Sequence, residues 1–130
     1  MIEPAYLAGF FDGEGTVKIT YQKSKNPNSD KLYPHAHISI AQSGSDGLEL
    51  LEKLRDQYGG NIYNHLSVGQ YKATKPAYKL YWNKEEGARM LAQIIPYLRL
   101  KKQAAEEVFT YLIRNEVEVE EDHNCQQIQD

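Results

Sequence analysis

Tyr6-Leu7-Ala8-Gly9-Phe10-Phe11-Asp12-Gly13-Glu14-Gly15 brings small residues, large apolar residues and two carboxylates together near the N-terminus. Pro4 marks where a helix begins, because its fixed φ and missing N–H suit a first turn. Ala5, Gly9 and Gly13 then recur four apart on one stripe, with Ala8 and Asp12 beside them, and the stripe has almost no side chain. Leu7, Phe10 and Phe11 fall on another side and can anchor the helix to its own core. Glycine inside a helix costs about 1 kcal/mol against alanine. Two of them on one stripe argue for close approach of a second helix, which small residues at this spacing permit. The segment is far too short to span a membrane.

After Gly15 the periodicity changes from helical to alternating. Val17, Ile19 and Tyr21 take one face of a strand, and Lys18, Thr20 and Gln22 the other. A turn-rich loop, Asn26-Pro27-Asn28-Ser29-Asp30, leads to a second strand with Ala36, Ile38 and Ile40 inward and His35, His37 and Ser39 outward. Asp46 in N-cap position, with Glu49 three later, predicts a helix that Gly59-Gly60 stops. Strands near 61–66 and 77–82 follow, then a helix capped at Asn83 and ended or kinked by Pro96, then a last helix from about Leu98. The expected order is helix, two strands, helix, two strands, helices, an α+β architecture in a single domain over 1–115. Residues 116–130 read as an acidic, disordered tail.

The formal charge of −3 over 130 residues hides an uneven distribution. Residues 1–115 hold all 15 Lys and Arg against 12 acids, and the last 15 residues hold six acids and no Lys or Arg. Segments 16–42 and 60–84 carry Lys18, Lys23, Lys25, Lys31, Lys72, Lys75, Lys79 and Lys84 against one acid, Asp30. These are the strand segments, so a basic sheet face is expected, which suits a protein that lays one face on phosphate. Solvated strand lysines guarding exposed edges are the plainer alternative. No apolar run reaches membrane length, and the single cysteine, Cys125, argues against a disulfide scaffold. An intracellular, soluble protein without a membrane partner is expected.

The stretch Leu7 to Gly15 resembles the signature of the LAGLIDADG homing endonucleases, in its small-hydrophobic-acidic order and in both acidic positions. It occurs once here, and single-copy members act as homodimers whose signature helices pack together. The resemblance therefore implies an αββαββα fold with a saddle-shaped antiparallel sheet on DNA, and a dimer interface of Ala5, Ala8, Gly9, Asp12 and Gly13. It implies a double-strand endonuclease acting on a long pseudo-palindromic site, with Glu14 and the Gly13 carbonyl as ligands of a catalytic divalent metal. That metal would be Mg²⁺, with Mn²⁺ able to substitute and Ca²⁺ supporting binding without cleavage.

The residues agree with that chemistry. Mg²⁺ needs only one or two protein carboxylates besides water and phosphate, and Glu14 at a helix C-terminus faces the negative dipole end, an unfavourable place without a cation. Ile40-Ala41-Gln42 ends where the family often has a Gln near the attacking water. Pro96-Tyr97-Leu98-Arg99-Leu100-Lys101-Lys102-Gln103 resembles the segment where it has a Lys near the scissile phosphate. Gln42 and Lys101 are the catalytic candidates beside Glu14, with Lys102 as the neighbouring alternative to Lys101.

DNA contacts are expected from the outward strand residues Lys18, Thr20, Gln22, Ser24, His35, His37, Ser39, Asn61, Tyr63, His65, Lys79 and Tyr81, which can address base edges. Lys23, Lys25, Lys31, Lys72 and Lys75 in loops are expected on phosphate. His35, His37 and His65 could instead form a zinc site, although no Cys or acidic ligand accompanies them. The alternatives to a nuclease are an intron RNA maturase or a non-cleaving DNA-binding regulator on the same fold, and a dimeric module whose sheet binds protein.

Overall fold

The alternation after Gly15 and the helical spacing before it meet at one residue, where helix gives way directly to strand. The computed structural model describes residues 1–64 and 76–115. Its elements are α1 (Pro4–Glu14), β1 (Gly15–Lys23), β2 (Leu32–Ser43), α2 (Gly44–Tyr58), β3 (Asn61–Asn64), β4 (Ala77–Tyr81), α3 (Lys84–Ile94), a one-turn 3₁₀ helix (Ile95–Tyr97) and α4 (Lys102–Asn115). The strands form an open antiparallel sheet in the order β1-β2-β4-β3. The expected α+β order is present, with a fourth helix completing it. No described helix is long and apolar enough to cross a membrane. The tail assigned to 116–130 lies outside the described residues.

Register decides which side chains meet. Lys18 stands opposite His37, Thr20 opposite His35, and Ser39 between Thr16 and Tyr81. Lys79 lies between Ala41 and Tyr63, and Asn61 pairs with Tyr81. These residues share one face of the sheet, as the alternation predicts. The other face carries Val17, Ile38, Ile40 and Leu80, all buried. The helices cover that face with Leu7 and Phe11 from α1, Leu51 and Leu54 from α2, Met90, Leu91 and Ile94 from α3, and Val108 and Leu112 from α4. Burying one such side chain stabilises by about 1.5–3 kcal/mol, so a one-residue slip that turned these aliphatics to water would forfeit several such contributions. The core therefore fixes which residues face outward.

Two junctions hold the helices to the sheet. Buried Trp82, following β4, donates from Nε1 to the Tyr58 carbonyl at the end of α2 (3.1 Å). Gly87 lets α3 lie close to the sheet, since a methyl there would stand 2.6 Å from Ile38 Cδ1. At the N-terminus, Ile2 exchanges two hydrogen bonds with the Gln57 side chain and accepts a third from the Tyr58 hydroxyl, all at 2.7 Å.

Helix boundaries differ from expectation in two places. Asp46 lies within the first turn of α2 rather than at its N-cap, because the helix already begins at Gly44 after Ser43. The Gly44 N–H is held by the Pro76 carbonyl (2.9 Å), a partner that local sequence does not reveal. The last helix starts at Lys102, not Leu98. Asn83 does cap α3, its side chain accepting from the Glu86 N–H at 2.8 Å, and Gly59 at φ +82° closes α2.

Candidate functional site

The delayed start of α4 has its cause in the signature stretch. One carboxylate oxygen of Asp12 accepts from the Arg99 N–H (2.8 Å), and the other accepts from the N–H groups of Leu100 (3.1 Å) and Lys101 (3.0 Å). The first backbone bond of α4 runs from the Ala105 N–H to the Lys101 carbonyl. Asp12 thus ties down the backbone of the segment that enters α4, acting from 87 to 89 residues away. Partial desolvation tends to raise its pKa, but the three backbone donors and the nearby Lys101 charge outweigh it, so the carboxyl titrates below the ordinary carboxylate value. Within the chain, the Asp12 carboxylate expected at a partner helix is engaged by the backbone of residues 99–101.

Lys101 joins the same junction through its side chain. The ammonium donates to the Asp12 main-chain carbonyl at 2.6 Å, one of the last-turn carbonyls of α1 left without a helical partner. The cation therefore lies at the negative end of the α1 dipole. Glu14, two residues on, is exposed and ends the helix. Among the described residues it has no hydrogen-bond or ion-pair partner, which leaves both its oxygens available. Lys102, the alternative lysine, is exposed in the first turn of α4. Of the two, only Lys101 is tied to the signature helix.

The stripe on α1 divides. Ala5, Gly9 and Gly13 are exposed, and a methyl added at Gly9 or Gly13 would meet nothing within 4 Å. Ala8 is fully buried against the chain's own core, which removes it from the exposed stripe. Its position, one step round the helix toward Leu7 and Phe11, explains the difference. Gln42 pairs with Tyr78 near the end of β2 and is half-buried. It lies on the core-facing side of the sheet, beside Gly47 of α2.

The polar face of the sheet gathers most of the remaining candidates. Lys18 and Gln22 of β1 and His35 of β2 are exposed, while Thr20 and His37 are half-buried. The Thr20 hydroxyl and His37 Nε2 are hydrogen-bonded at 2.8 Å, and the two imidazoles lie edge to face with centroids 4.7 Å apart. Desolvation, then the charges of His35, Lys18 and Lys79, hold the His37 pKa below its ordinary value. On the β3–β4 side, Tyr63 and Tyr81 pack edge to face at 5.1 Å, flanking Lys79. A groove of about 870 Å³ runs between these halves, lined by His35, His37, Ser39, Tyr63, Lys79 and Tyr81 and reaching the start of α3.

Some outward assignments need correction. Ser39 faces the groove but is only 6% exposed, because β2 runs between β1 and β4 and the longer Tyr81 is its cross-strand neighbour. The Ser24 hydroxyl accepts from the Asn26 N–H at 3.1 Å and so helps shape the hairpin turn. Lys23 is the last residue of β1 rather than a loop lysine, whereas Lys25 and Lys31 are exposed in the connection to β2. Asn61 is exposed as expected. His65, Lys72 and Lys75 lie outside the described residues. Among the described residues, no three of His, Cys, Asp and Glu group as a metal cage.

Thr16 and Tyr33 were missed. Both are exposed on the polar face, paired with Ser39 and Gln22. The alternation that gave Lys18 and Thr20 would have given Thr16 had it been carried back to the strand's start.

The LAGLIDADG endonuclease family model matches residues 7–112. No curated protein matches the chain. Among solved structures, the chain is similar to the homing endonuclease I-CvuI in complex with its target in the presence of calcium (TM-score 0.63, 18% identity, 84% of this chain and 64% of that one). It is similar to the archaeal intron-encoded homing endonuclease I-Vdi141I complexed with DNA (TM-score 0.62, 19% identity, 84% and 65%). It is also similar to the I-SmaMI LAGLIDADG homing endonuclease bound to cleaved DNA (TM-score 0.66, 21% identity, 85% and 36%). The chain thus spans just under two thirds of the first two and about a third of the last. At these identities the likeness shows the fold.

Proposed function

The chain belongs to the LAGLIDADG endonuclease family, and on that premise we propose that it is a sequence-specific, homodimeric double-strand DNA endonuclease of the homing type that requires a divalent metal. The observation that carries this reading is the Lys101 ammonium held on the Asp12 carbonyl in the last turn of α1, two residues before Glu14, whose carboxylate has no partner among the described residues. That turn lies where α1 runs directly into β1, the strand that carries Thr16, Lys18, Thr20 and Gln22 on the polar face.

The donors at this corner fit a hard cation. Glu14 offers a carboxylate and Gly13 a last-turn carbonyl, both oxygen ligands of the kind Mg²⁺ takes, with water and phosphate filling the remainder. Mn²⁺ would substitute, and Ca²⁺ would support binding without cleavage. When bound, the metal would supply Lewis-acid polarisation and an activated water. The chain's own groups divide the other tasks. Lys101, held against Asp12, offers a fixed positive charge to an oxygen of the scissile phosphate. Gln42 would orient the attacking water through its amide. Lys18, Lys79, His35, His37, Tyr63 and Tyr81 would read base edges, with Lys25 and Lys31 on phosphate.

The homodimer rests on the exposed Ala5, Gly9 and Gly13, where two helices could approach backbone to backbone. Two copies would give a two-fold-symmetric site with one Glu14 from each. The test is cleavage of a randomised duplex library by purified protein with Mg²⁺, beside a Ca²⁺ control. Enriched cut sites with two-fold symmetry support the reading. Binding without a cut would favour the maturase or regulator, and symmetry-free sites would remove the homodimer.

A further inference from the structure

Asp12 is not among the proposed reacting groups, yet its carboxylate accepts three backbone donors from residues 99–101. A structural tie between α1 and the segment entering α4 would account for those three bonds. It does not account for the fourth, in which the Lys101 ammonium returns to the Asp12 carbonyl at 2.6 Å. One residue therefore holds Lys101 at both ends, by its main-chain N–H and by the tip of its side chain.

We propose that Asp12 is a positioning residue for Lys101, fixing the ammonium at the end of the helix that carries Glu14 by clamping the 99–101 backbone to the last turn of α1. This rests on the reading of Lys101 as the residue that meets the scissile phosphate. The reason is mechanical. A lysine stem has many rotamers, and a charge delivered by a free stem is displaced for most of the time. With the backbone of Lys101 pinned to the Asp12 carboxylate, the distance left for the stem to cover is set, and a carbonyl of the same residue receives its tip. Because Asp12 and Glu14 share one rigid helical turn, the ammonium is also fixed relative to the Glu14 backbone. An aspartate suits this geometry because both oxygens must accept; an asparagine turns an NH₂ toward one of the donors.

The experiment compares Asp12→Asn, Lys101→Ala and the double variant in single-turnover cleavage of the selected duplex with Mg²⁺, and in binding with Ca²⁺. Asp12→Asn is expected to slow cleavage about 10- to 100-fold, as misplacement of a catalytic group by about 1 Å does, with the dissociation constant changed less than about threefold. In the Lys101→Ala background the same substitution should cost nothing further, because the group it positions is gone. Asp12→Ser, a short residue that still caps helices, is the second variant should the first fold poorly, and it should show the same dependence on Lys101. A loss of equal size with and without Lys101, or one that follows binding, would reduce Asp12 to a structural tie and overturn the proposal. Cleavage by the wild type with additive losses overturns only this inference, whereas no cleavage by the wild type overturns the nuclease reading along with it.

Discussion

The polar face of the sheet and the junction of α1 with α4 carry similar kinds of residue, yet they are built in opposite ways. On the sheet, each side chain is placed by its own strand's alternation, and neighbours such as Lys18 and His37 meet through register alone. At the junction, Asp12 and Lys101 are placed by four hydrogen bonds between residues almost ninety apart. A face built by alternation can lose one member and keep the others in place. A junction built on one carboxylate has no such spare. The sheet is therefore suited to graded recognition, and the junction to an all-or-none task.

This contrast can be broken by substitution. Replacing Lys18 and Lys79 together with alanine should weaken binding to the selected duplex by about 1–3 kcal/mol, roughly 5- to 150-fold, as loss of base-edge or phosphate contacts does. Cleavage at saturating protein should stay near the wild-type rate, and binding titrations beside single-turnover assays would check both. Equal loss of cleavage rate would mean that the sheet and the junction are not separate.

Within α1 the same logic separates Ala8 from Gly9. Ala8→Leu forces a larger side chain into a fully buried position and should destabilise by about 1–3 kcal/mol. Gly9→Leu points into open space in the single chain and should leave stability equal or higher, by up to about 1 kcal/mol, while preventing dimer formation. Denaturant unfolding and sedimentation equilibrium would read the two effects. Asp12→Ala should cost about 1–3 kcal/mol of stability through the lost hydrogen bonds to the backbone of residues 99–101, measured in the same unfolding experiment.

The smallest expected effect concerns His37. Its ring is held below the ordinary value of 6.5 by desolvation and by the charges of His35, Lys18 and Lys79. The folded chain thus prefers the neutral ring, and as pH falls past the ordinary value the unfolded chain takes up the proton first. Stability is lost through that window, down to the lowered folded pKa. His37→Asn should flatten the acid side of the stability profile slightly, and Lys79→Ala should move the His37 titration back toward its ordinary value in NMR.

The same contrast explains what could be read from sequence. The outward set Lys18, Thr20, His35, His37, Tyr63, Lys79 and Tyr81 was legible because a period of two admits only two answers, and buried Ile38, Ile40 and Leu80 exclude one of them. The α1 stripe was legible in part. Helical spacing put Gly9 and Gly13 on one exposed face, but Ala8 lies at the edge of the stripe, where only the packed core decides its side. The junction was not legible. Nothing local to Asp12 announces that its partners are the N–H groups of residues 99–101, so the start of α4 was expected four residues early. Ser39 shows a further limit, since a short side chain is hidden by longer cross-strand neighbours even on an outward face.

If the end of α1 cuts while the sheet binds, the two tasks separate at Glu14. The most direct test is Glu14→Gln on the selected duplex, with binding measured in Ca²⁺ and single-turnover cleavage in Mg²⁺. A dissociation constant within a few-fold of wild type is expected, with cleavage reduced by roughly a thousandfold or more, the scale that follows removal of metal-assisted chemistry. Cleavage that survives the substitution, or binding that is lost in proportion to it, would contradict the claim.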